Sequence, residues 1–131
     1  RMYPEMNHSY VGANSPITDT EDRIGWFKVE ATVDAPNRDT NQTQLEAFAK
    51  EQGYTGQRLS TYILVSQASK DLTGQHLDQG DTWSRLLGSR VGGDVILAYF
   101  SPSGSLSAGW DLYPVSRSPD LGGRFEEVKK A

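Results

Sequence analysis

A chain of 131 residues and 14.5 kDa has the length of one ordinary domain and can bury a core without metal or disulfide support. Its formal net charge is −4 with no run of lysine or arginine, so there is no electrostatic footprint for a phosphate backbone and no nucleic-acid partner is expected. The lack of cysteine excludes thiolate catalysis, disulfides and Cys-ligated metal sites, and no apolar run approaches the about 20 residues of a membrane-spanning helix.

Residues 1–23 carry Pro4, Gly12, Pro16 and the acidic run Asp19-Thr20-Glu21-Asp22 without a sustained period, and read as an irregular arm. The chain opens on Arg1, which fits a processed or truncated product, or Met2 preceded by one extra residue. A removed signal or lipid-attachment segment would place the domain outside the cytoplasm. The Thr/Gln/Ser/Asn-rich composition is read as leaning that way, towards a bacterial exported or envelope protein.

From Ile24 the pattern changes. Phe27, Val29, Ala31 and Val33 alternate with polar residues, the period of a strand with one wet face, until the turn residues Asp34 to Arg38. Asp39 or Thr40 is expected to cap a helix, with Gln42 in capping-box position, Leu45, Phe48 and Ala49 as its stripe and Gly53 as its stop. Leu59 to Ser66 is β-branched and aromatic, and reads as a second, central strand. A polar loop over 67–80 follows, then a short helix from Asp81 to Gly88. Val95 to Phe100 and Leu106 to Leu112 form a hairpin through Ser101-Pro102-Ser103-Gly104. Gly92 and Gly93 precede a strand rather than open a helix, so they are read as a bend and not a phosphate cradle. After Pro114, Phe125 to Val128 is left as a helical turn or an edge strand.

The expected fold is α+β, a two-layer sandwich in the order β-α-β-(short α)-β-β. A mainly antiparallel sheet of about four strands carries one main helix on one face. The organisation is an arm over 1–23, one domain over 24–113 and a second arm over 114–131.

Chemistry is thinly signalled. His8 and His76 lack a Gly-x-Ser-x-Gly elbow to make either of them part of a catalytic triad. The loop Lys70 to Asp81 gathers Asp71, His76, Asp78 and Asp81, types that could ligate a divalent cation or serve a small hydrolase, although the spacing fails the EF-hand pattern. Turn and cap roles account for them as well, as they do for Asp34, Asn37, Asp39 and Asn41. Glu30 and Asp111, on expected wet faces, are a candidate acid–base pair. Asn7-His8-Ser9 and Asn41-Gln42-Thr43 match the N-glycosylation pattern.

The aromatic residues remain. Trp26, Trp83 and Tyr99 are the candidate binding residues, because amphipathic rings on a strand face serve as anchors. Trp26 lies out of register with Phe27, Val29 and Val33 and is expected to face away from the core. The resulting expectation is a non-enzymatic binding or interaction domain with a protein partner or self-association and no cofactor. The alternative is a small hydrolase or toxin-like enzyme using the loop carboxylates and His76.

Overall fold

The computed structural model describes residues 6–9, 11–12, 17–19, 26–29, 32–111 and 113–129. Its centre is an antiparallel meander of β6 (Trp83–Val91), β7 (Asp94–Phe100) and β8 (Leu106–Trp110). The β6–β7 hairpin closes through Gly92 and Gly93 at φ 60° and 104°. Two consecutive positive φ angles are what a tight hairpin turn needs, and glycine reaches them without a Cβ clash. These glycines are therefore the hairpin turn itself, and β6 is its first strand.

The outer edge of β6 is shared. Its first half pairs in parallel with β9 (Leu121–Gly123), and its second half pairs antiparallel with β3 (Ile17–Asp19). On the other side of the meander, β1 (Met6–Ser9) lies parallel to β8, and β2 (Val11–Gly12) lies antiparallel to β1. A second sheet places β10 (Phe125–Lys129) between β4 (Trp26–Val29) and β5 (Thr55–Gly56).

Among the described residues, two helices complete a mixed α+β fold. Helix α1 (Gln42–Gln52) begins at Asn41, not at Asp39 or Thr40. The Asn41 side chain accepts from Gln44 N–H at 2.8 Å, and Gln44 Oε1 accepts from Asn41 N–H at 2.9 Å. Asp39 cannot take that place, since it sits at φ 58° with its N–H donated to the Ser118 and Leu121 carbonyls. Gly53 stops the helix in the left-handed conformation, as expected.

Helix α2 (Leu59–Thr73) occupies the segment expected as a central strand. Its buried positions 59, 62, 66 and 69 follow helical spacing, but two of them are Ser66 and Ser69, so a hydrophobicity pattern does not show the stripe. The converse holds for the expected short helix over 81–88, where residues from Trp83 onwards are the first part of β6. Ser84 and Leu86 on one face and Arg85 on the other are all buried, so period-two alternation is missing.

The core lies between α2 and the inner face of the meander. Leu59, Tyr62 and Leu77 pack against Leu86, Ile96, Ala98, Phe100, Leu106 and Ala108. The terminal segments differ from arms. The described parts of residues 1–23 pair as β1, β2 and β3, and residues 121–129 supply β9 and β10. Arg124, Phe125 and Glu126 are among the most deeply buried residues. Phe125 to Lys129 is a strand, and it is central in its sheet rather than at an edge.

Candidate functional site

Strand alternation assigns the outer face of the meander. Ile96, Ala98 and Phe100 point at α2, so Leu97 and Tyr99 point away. The register sets Gly109 opposite Leu97 and Ser107 opposite Tyr99, and it sets Ala98 opposite Ser84, which brings Trp83 beside Tyr99. The two rings meet at 4.5 Å between centroids, tilted by 37°. Trp83 is 43% exposed although it belongs to a central strand. Bare Gly109 removes a side chain from the floor, and a groove of about 70 Å³ opens, lined by Trp83, Leu97, Tyr99, Ser107, Ala108, Gly109 and Trp110. Small-molecule pockets usually measure about 300–1,000 Å³, so this groove suits one ring or branched side chain of a longer ligand.

The segment after β8 runs from Asp111 to β9 across this outer face. Arg85, whose side chain is 1% exposed, holds it from below. Its Nε donates to Asp111 Oδ2 at 2.7 Å, Nη1 to Thr40 O at 2.6 Å, and Nη2 to Tyr113 O and Ser116 O at 3.3 and 3.0 Å. Gln42 N–H donates to Pro114 O, and Arg117 pairs with Asp39 at 3.6 Å. A loop fixed by its backbone in this way still presents Tyr113 and Val115, at 70% and 77% exposure.

The loop candidates are dispersed. Asp71 lies on α2 and accepts from Gln67 Nε2 at 3.1 Å; Asp81 is exposed. Asp78 is fully buried at φ 54° and accepts from Tyr62 Oη at 2.7 Å, Ser84 Oγ at 2.8 Å, Thr82 Oγ1 at 2.6 Å and Arg124 Nη2 at 3.2 Å. With its oxygens thus engaged and no solvent contact, its geometry is that of a structural hub. Burial first of all, then the Asp78 charge, pushes the Tyr62 phenol well above its ordinary range; the Arg124 charge opposes this, and the hydrogen bond to Asp78 adds to the rise.

His76 is half-buried and stacks on Phe100 at 4.2 Å and 10°. Its Nδ1 shares a 3.1 Å hydrogen bond with Ser66 Oγ, the spacing of a serine–histidine pair. Ser66 is fully buried, however, and its oxygen already accepts from Leu77 N–H at 3.0 Å, so no substrate atom can approach it. Among the described residues, no three His, Asp or Glu side chains are grouped to hold a metal ion.

Of the other candidates, Asp111 is tied to Arg85, and Glu30 lies outside the described residues. Asn37 donates to Gly123 O at 3.1 Å, and Asn41 serves as the α1 cap. Trp26 stands in β4 opposite Lys129, in the smaller sheet, while the direction of its side chain lies outside the described residues. Trp83 and Tyr99, singled out as aromatic residues, thus meet in one groove. Arg85, Tyr113 and Val115 were not singled out, and only the exposed apolar pair around Pro114 hinted at them. No family model matches the chain, and no curated protein or solved structure is significantly similar to it.

Proposed function

We propose that the chain is a non-enzymatic binding domain whose contact face is the outer surface of the meander, with Trp83 and Tyr99 as anchors. The observation that carries this reading is an aromatic groove, open to solvent, on a sheet strand that the rest of the fold leaves partly uncovered. The buried charged pairs favour it too. Arg58–Glu126, Arg85–Asp111 and Arg124–Asp78 each serve internal structure and are not part of an outward contact face.

The groove lining carries no carboxylate, ammonium, guanidinium or imidazole group. This chemistry favours an uncharged, extended polypeptide segment that presents proline or apolar side chains, since aromatic-lined grooves accept such segments at low entropic cost. The anchored Tyr113–Val115 loop is a preorganised rim beside it. An exported or envelope setting rests on composition alone. The hydrolase alternative draws support only from the Ser66–His76 spacing.

The test is an NMR titration with neutral peptides containing proline, aromatic or aliphatic side chains. The expected result is perturbation confined to Leu97, Tyr99, Ser107, Gly109 and the Trp83 indole N–H, weakened at least about tenfold by W83A, as for loss of a central aromatic anchor. Binding that ignores W83A, or shifts centred on His76, would sink the reading.

A further inference from the structure

We propose that Ser107 is the specificity-determining residue of the groove, and that the side chain it selects is a tyrosine carried by a neutral segment of a partner polypeptide. The inference rests on the groove being the contact face and deepens that reading. On β8, Leu106 and Ala108 belong to the core, so Ser107 between them points to the outer face, where it stands opposite Tyr99 and lines the groove. Gly109, the next residue of β8 on that face, has no side chain to meet it. Ser107 is 5% exposed, and its hydroxyl makes no hydrogen bond among the described residues. The other buried serines among them, Ser66, Ser69, Ser84 and Ser89, each hydrogen-bond within the fold.

An open groove lets solvent serve this hydroxyl. A ligand that closes over it removes the solvent and has to replace the bond, or it leaves the hydroxyl desolvated. The walls call for a ring: Trp83 and Tyr99 stand 4.5 Å apart between centroids, and the volume of about 70 Å³ suits one such group. A ring with a polar tip meets both demands. The phenol of tyrosine donates and accepts, as the serine hydroxyl does, so either can be the donor. It is also uncharged at neutral pH. Phenylalanine, proline and valine offer the hydroxyl nothing, a short polar side chain leaves the aromatic walls uncovered, and a charged one finds no counter-charge in the lining.

The sign of one comparison separates this selection from apolar burial alone. A purely apolar groove prefers phenylalanine to tyrosine, because the phenol gives up its hydration for nothing. Ser107 reverses that order. Two neutral capped peptides, proline-tyrosine-proline and proline-phenylalanine-proline, are titrated into the unaltered protein and followed through the amide shifts of Tyr99, Ser107 and Gly109. The tyrosine peptide is expected to bind about tenfold more tightly, and S107A should abolish or invert the preference. Removing a hydroxyl without an internal partner leaves no buried group unpaired, and the comparison on the unaltered protein does not depend on that variant.

Equal affinities, or a preference for phenylalanine, with shifts confined to the groove and abolished by W83A, overturn the role of Ser107 while the contact face stands. A tyrosine preference that survives S107A overturns it as well. Shifts elsewhere, or none, overturn the contact face and the selection together. Groove shifts that depend on protein concentration without peptide and vanish in Y113A make the occupant Tyr113 of a second copy, and overturn the assignment to a partner.

Discussion

Tyr62 concentrates the residue-scale energetics. Its ring packs against Phe100 at 5.9 Å, while its hydroxyl donates to the carboxylate of Asp78. Burial holds its phenol proton well above the usual range, so the folded state binds that proton more tightly than the unfolded chain, where the pKa is about 10. The resulting stabilisation is complete below about pH 10 and is lost as pH rises from there through the folded-state value. Tyr62→Phe should therefore cost about 1 kcal/mol at neutral pH through the lost hydrogen bond, and it should flatten the alkaline decline. Urea unfolding midpoints from neutral pH to about pH 11 test this. Parallel alkaline losses in the two proteins would remove Tyr62 as the cause. Gln57 is the opposite case: its amide is fully buried with no hydrogen-bond partner among the described residues, a burden of about 1–3 kcal/mol.

At the scale of elements, the two sheets meet where β5 crosses β6, at Gly56 and Gly88. Gln57 O accepts from Gly88 N–H at 3.1 Å, and a methyl group on Gly88 would stand 2.5 Å from Gly56 O and 2.9 Å from Arg58 Cγ. Backbone cannot yield as a flexible side chain does, so Gly88→Ala should destabilise by about 1–3 kcal/mol. Gly53→Ala, with open space around it but φ 72°, carries backbone strain alone and should cost about 1–2 kcal/mol. Thermal midpoints of the two variants decide whether the crossing is close-packed, and equal losses would deny it. The same elements explain what the sequence made legible. Helix α1 was readable because it has one wet face and a clear stop signal, and the hairpin from β7 to β8 because an apolar run meets the turn residues Pro102 and Gly104. Helix α2 was hidden by Ser66 and Ser69 on its inward face, and β6 by Arg85, a charge where strand patterns call for an apolar or solvent-facing residue. For the groove, aromatic type identified Trp83 and Tyr99, but their meeting depends on a cross-strand register that no local pattern contains.

On the scale of the whole molecule, three buried arginine–carboxylate pairs among the described residues join segments far apart in the chain: Arg58 with Glu126, Arg85 with Asp111, and Arg124 with Asp78. Two of the three draw a member from the last strands, where sparse apolar composition suggested an arm. Breaking a buried pair by removing one partner costs about 3–5 kcal/mol, because the other charge stays desolvated. Removal of residues 121–131 would break two such pairs, strip β9 from β6, and take Phe125 from its ring contacts with Phe48 and Tyr54 at 5.6 and 6.2 Å. Against a total stability of about 5–15 kcal/mol for a domain of this kind, that sum leaves no folded state. The truncated chain should show collapsed amide dispersion by NMR and no cooperative thermal transition. A dispersed spectrum with a sharp transition would falsify the integration of the C-terminal strands. Because the pairs are shielded from solvent, raising the salt concentration should do little to the intact protein, whereas a fold held by exposed pairs would weaken as the Debye length shortens.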